Sequence, residues 1–147
     1  MSYEAGEALW LARIRAMSQF DAGNSSRGKW GIRNTGKSNQ YAILKPGLHT
    51  REMIGFNRRV NHYQTIIQLW QKYSEDGQSA IDLTTLTSSV LAYLDTYPQM
   101  GDATNTVIGG EITEVREMQQ IPPEAPVWLF VELVGSWDEE ASITFAE

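Results

Sequence analysis

The chain of 147 residues contains no cysteine. Disulfide bridges, thiolate metal ligands and cysteine nucleophiles are therefore excluded. Histidine is nearly as scarce, with only His49 and His62, and their separation of 13 residues matches no zinc-binding spacing. Apolar runs fall far short of the roughly 18 residues that a membrane-spanning helix needs. Glu4 and Glu7 precede any apolar stretch, which is wrong for a secretory leader. Asp21 and Glu52 stand alone in their section, so no carboxylate pair is set up there for acid–base chemistry.

What is present is an ordinary globular composition, 41% hydrophobic and 20% charged, at a length that suits one domain over residues 1–147. The net charge of −6 conceals a gradient. Residues 1–72 hold 11 Lys/Arg against 4 Asp/Glu, and residues 98–147 hold 10 acids against the single base Arg116. Such asymmetry fits a polyanion-binding half, a basic part of one copy meeting an acidic part of another, or neutralisation within one fold.

Residues 31–38 read GIRNTGKS and satisfy the phosphate-loop pattern G-x-x-x-x-G-K-[ST]. The chemistry needs a buried strand before the loop and a helix after it, so that backbone N–H groups and the helix N-terminus face the phosphates. Upstream lies polar DAGNSSRGKW. Downstream, NQYAILKPG favours a short strand ending in a turn. Neither apolar strand candidate ends in an Asp to hold Mg²⁺, and the run before Asp95 has helical spacing. The stretch reads as a flexible basic loop, and no cofactor is expected.

Residues 3–19 have a helical stripe of Tyr3, Trp10, Leu11, Ile14 and Met17. A basic section over 21–59 follows, with short strands expected at 29–33 and 40–45 and breaks at Pro46, Gly47, Gly55 and Asn57. From Val60 to Tyr73 the period is two, as in a strand with one core face and one partly covered face. Residues 79–97 return to helical steps through Leu83, Leu86, Val90, Leu94 and Tyr97, with Ser79 as the expected cap and Pro98 as the stop. The hydroxyls at 84, 85 and 87–89 have no base near them in sequence and read as a solvated face. A strand is expected near 106–118, a proline-rich connection over 119–126, and a central strand over VWLFVELVGSW, 127–137. The 60–147 portion is thus a strand–helix–strand–strand core.

This arrangement resembles the tail terminator (tail completion) proteins of tailed bacteriophages. The resemblance rests on IIQLWQKYSEDGQSAIDLTTLTSSVLAYLDTYP (66–98), EITEVREMQQ (111–120) and VWLFVELVGSWDEE (127–140). It implies an α+β fold, a mostly antiparallel sheet of about four to five strands with two helices packed on one face. It also implies a structural virion protein rather than an enzyme. Its copies would form a hexameric ring, assembled in the host cytoplasm, that caps the tail tube and joins it to the head connector. DNA would pass through without sequence-specific binding, and no membrane is involved.

A ring gives the charge gradient a purpose, because each subunit then presents one surface to a different surface of its neighbour. The basic set Arg27, Lys29, Arg33, Lys37, Arg58 and Arg59 is expected to meet Glu111, Glu114 and Glu117, or Asp138, Glu139 and Glu140, of an adjacent copy. Three other readings compete. One is a nucleotide-binding enzyme, resting on residues 31–38 alone. Another is a nucleic-acid module in which Trp30 and Tyr41 stack on bases among the basic residues. The last is another head-completion or connector component of the neck.

Overall fold

The computed structural model describes residues 3–27, 38–97 and 107–142. Among these, the chain forms helix α1 (Tyr3–Arg15), strands β1 (Ser25–Arg27), β2 (Gln40–Gly55) and β3 (Arg58–Lys72), and helix α2 (Gln78–Leu94). Strands β4 (Val107–Val115), β5 (Gln119–Ile121) and β6 (Trp128–Ser142) follow. The sheet runs β1-β2-β3-β6-β4, and β5 also pairs with β6. Only β1 and β2 are parallel; the other four pairings are antiparallel. The fold is α+β, and β1 and β5 bring the strand count to six among the described residues.

Both helices lie on one face of the sheet. Trp10, Leu11 and Ile14 of α1 and Leu83, Leu86, Val90 and Leu94 of α2 are buried there. They pack against Ala42 and Leu44 of β2, Ile67 and Leu69 of β3, and Leu129, Val131 and Leu133 of β6. Period-two alternation puts these strand residues on that side. Their neighbours Tyr41, Ile43, Trp70 and Phe130 form a second buried cluster on the other side. Strands β3 and β6 are apolar on both faces, as expected of the sheet centre.

Several boundaries differ from the sequence reading. Helix α1 stops at Arg15, and the chain tightens into a turn in which Met17 N–H bonds the Ile14 carbonyl. Met17 and Phe20 still reach the core from that turn. The cap of α2 is not Ser79. The N-cap is Gly77, with φ of 78°, a left-handed conformation that favours glycine. Asp76 accepts the Gln78 N–H at 3.0 Å, while Ser79 is buried and shares three hydrogen bonds with Ser74. Most consequentially, β2 does not stop near Pro46 but continues to Gly55. From Pro46 onward β2 has no neighbour on its outer side among the described residues, so the missing proline N–H is not needed there. The strand expected at 29–33 and the loop residues 31–37 lie outside the described residues.

Candidate interaction surfaces

The extra length of β2 makes an arm. A register shift between Pro46 and His49 bends it, and a Cβ at Gly47 would lie 2.9 Å from Gln64 Cβ, so only glycine fits that bend. Beyond it every residue from Leu48 to Arg58 is exposed, with the turn at Phe56–Asn57. Leu48, Met53, Ile54 and Phe56 show large apolar side chains to solvent, Phe56 to 85%. Stacked rings tie the arm to the core: His49 lies 4.4 Å from Tyr63, and Tyr63 lies 5.3 Å from Trp137.

The far end of β6 runs beside this arm, Arg58 opposite Ser142 and His62 opposite Asp138. The structure therefore brings two of the predicted charge sets together within one chain. Arg58 is ion-paired with Glu140. His62 bridges three strands, its Nδ1 2.6 Å from Asp138 on β6 and its Nε2 3.2 Å from Glu52 on β2. Only the imidazolium has two N–H donors, so facing two carboxylates favours the charged form. The hydrogen bond to Asp138, then that to Glu52, raises the His62 pKa above its ordinary 6.5. Glu139 points to the opposite face and is buried. Arg59 is half-buried beside the turn, Arg27 is exposed at the end of β1, and Lys29, Arg33 and Lys37 lie outside the described residues.

Glu111 and Glu114 on β4, and Glu117 just beyond it, are exposed and belong to the other end of the sheet. Val115 pairs with Leu133, which pairs with Ile67, so Val115 sits nine residues along β3 from Arg58, roughly 30 Å away. Val115, on the helix face, and Ile121, on the opposite face, are both exposed at this end, as is Val127. Two register shifts in β4 break its outer edge, a common protection against unwanted strand pairing.

Glu132, the one acid in the middle of β6, holds the outer face. It accepts from Gln68 at 2.9 Å and pairs with Lys45 at 3.3 Å and Arg116 at 3.2 Å. Burial pushes its pKa up, but these donors outweigh burial and keep it below the usual value. Gln68 also accepts from Trp70 Nε1 at 3.2 Å, linking the charge cluster to the aromatic one.

The groups that could suggest chemistry are otherwise engaged. Thr84 and Thr87 donate to the carbonyls of Ala80 and Leu83. Ser38, the last residue of GIRNTGKS, bonds Gln40, and the chain then enters β2, whereas a phosphate loop opens a helix. Tyr41 is buried in the aromatic cluster, edge-on to Trp128 at 5.6 Å, so it is not available for stacking on bases. No group of three or more acids and histidines among the described residues is arranged to hold a metal ion.

Sequence reading named the charges here but not the apolar residues of the arm and the acidic end, nor the His62 bridge. The apolar signal was present in LHTREMIGF, where the breaks at Gly47 and Gly55 hid a single hairpin. The bridge depends on a three-strand register that no local pattern encodes. Among the described residues no helix is long and apolar enough to cross a membrane. No family model matches the chain, and no curated protein matches its sequence.

Proposed function

We propose that this protein is a structural subunit of a bacteriophage neck, one that forms a ring, caps the tail tube and joins it to the head connector. The observation that carries the reading is the asymmetry of the two ends of one sheet: an exposed hairpin arm with apolar side chains at one end and an exposed acidic segment at the other. In the sequence four bases and one acid lie in 45–59 and four acids and one base lie in 107–127, and Asp138 and Glu140 of β6 offset His62 and Arg58 beside the arm. Surfaces of that kind suit repeated contact between copies. The order of elements that resembles the tail terminators, with two helices on one face of a largely antiparallel sheet, supports the same assignment.

The test is to measure the mass of the purified full chain and image it alone and with tail tubes. Rings that seat on one end of the tube are the expected result. A particle that stays solitary and ignores both tubes and connectors overturns the reading, as does ATP hydrolysis by the purified chain. Seating on the connector but never on the tube would assign the protein to the head side of the neck.

A further inference from the structure

We propose that the C-terminal ends of α1 and α2 form a binding site for a carboxylate side chain of a partner protein, with Arg13 as its cation and the Tyr93–Tyr97 hydroxyl pair beside it. The site goes beyond the neck reading and does not depend on it.

Three observations carry the site. First, Arg13 is a half-buried cation whose N–H groups have no acceptor. Its Nε is the one cationic nitrogen buried without a hydrogen-bond partner among the described residues. No ion pair or hydrogen bond forms at this guanidinium within the chain. Arg15, two residues on, differs: it donates through Nε and Nη2 to Ser25. A charged donor buried without an acceptor is costly, so each such group calls for a cause.

Second, the contact that Arg13 does make leaves its donors unspent. Cζ lies 4.9 Å from the centre of the Tyr97 ring. The ring face attracts the cation but offers no lone pair to five N–H groups. The contact instead holds the guanidinium in place, and a pre-placed fork suits the two oxygens of a carboxylate.

Third, a hydroxyl donor is spare at the same place. Tyr93 Oη and Tyr97 Oη are 3.3 Å apart, and their ring centres 5.2 Å. One O–H donates to the other oxygen, so one proton remains for an outside acceptor. The bond to Tyr97 raises the Tyr93 pKa, which keeps that hydroxyl protonated. Arginine N–H groups and a phenol O–H thus border one patch, and no acceptor of this chain reaches Arg13.

The charge count selects the partner. One cation suits one carboxylate. Helix α2 carries no Lys or Arg, and Asp95 at its C-cap is exposed. A nucleic-acid backbone would need a row of cations that α2 does not supply.

The test follows the Arg13 Nε–H signal and the amide signals of Tyr93 and Tyr97 by NMR on the full chain. The probe is an end-blocked Gly-Glu-Gly peptide. Gly-Gln-Gly, inorganic phosphate and a short DNA duplex are compared at equal ionic strength. A saturable shift with the glutamate peptide and none with the glutamine peptide is the expected result. Arg13→Lys keeps the charge but loses the fork, and should weaken binding by about tenfold. Tyr93→Phe and Tyr97→Phe together remove both hydroxyls, keep both rings, and should also weaken it. Melting curves check that the variants fold.

For a monomeric wild type, silence with the glutamate peptide or an equal response to the glutamine peptide overturns the site. Tighter binding of phosphate or DNA than of the glutamate peptide overturns the choice of partner. If the wild type is an oligomer and the titration is silent, sedimentation velocity of Arg13→Lys decides. Dissociation shows that a neighbour's carboxylate already holds the site, and an unchanged oligomer overturns it. Failure of the site leaves the neck reading standing.

Discussion

Gly6 of α1 lies flat against the indole of Trp137, so close that a Cβ at residue 6 would overlap the ring. The relation is reciprocal. One turn along the helix, Trp10 lies against Gly135, where a Cβ would be 3.0 Å from its Cζ2. Helix and strand thus each offer a tryptophan to a glycine of the other, and both tryptophans are almost wholly buried. Gly6→Ala should gain up to about 1 kcal/mol of helix propensity and lose about 1–3 kcal/mol to overpacking. The net expectation is a melting temperature lower by roughly 2–6 °C. Trp137→Phe removes the overlapping ring edge, so in the double variant the alanine should no longer destabilise. Additive losses would show that the two positions are not coupled.

His62 makes the root of the arm sensitive to pH. Its folded pKa is raised by hydrogen bonds to Asp138 and Glu52. The stability it contributes is therefore complete below the unfolded value near 6.5 and is lost as pH rises through the folded value. Arg58 and Glu140 lie nearby as an ion pair of the same chain. Amide exchange in 49–62 should be slower at pH 6 than at pH 8 after correction for intrinsic rates. His62→Gln should remove most of that difference.

Asp76 should show the opposite sign. Hydrogen bonds from the Ser74 hydroxyl and the Gln78 N–H lower its pKa from 3.8. Its contribution is present above the unfolded value and is lost as pH falls through the folded one. Asp76→Ala should lower the melting temperature at pH 7 by freeing the first turn of α2, and the deficit should shrink in acid. A deficit independent of pH would assign the loss to the turn's shape rather than to the carboxylate.

Glu132 anchors a network, so removing its charge should affect more than one strand. In Glu132→Gln, Lys45 and Arg116 face a neutral amide, at a cost of about 1–2 kcal/mol. Chemical denaturation at pH 7 measures it. The difference from wild type should fade below the ordinary carboxylate value of 4.5, because the folded pKa of Glu132 is depressed. Trp70 fluorescence should report the change, since Gln68 connects it to Glu132.

The core was legible in the sequence because burial imposes a period. Leu83, Leu86, Val90 and Leu94 announced α2, and the alternation around Ile67 and Leu69 announced β3. What escaped was decided by partners distant in sequence. Pro46 and Gly47 look like the end of a strand, yet at an open edge a proline costs no ladder bond and a glycine makes the bend. The acids at 138–140 looked like a surface for a neighbour, but pairing of β3 with β6 puts Arg58 and His62 of the same chain beside them. Only Glu111, Glu114 and Glu117 remain as the sequence left them, exposed.

The tip of the arm also writes its own record of assembly. Trypsin cuts after arginine, and Arg58 and Arg59 follow directly on an exposed two-residue turn, the kind of place where proteolytic nicking concentrates. In the free chain that bond is open to the enzyme, and any partner seated on the arm would cover it. Protection of that bond on mixing with a partner would therefore report contact at the arm without any label.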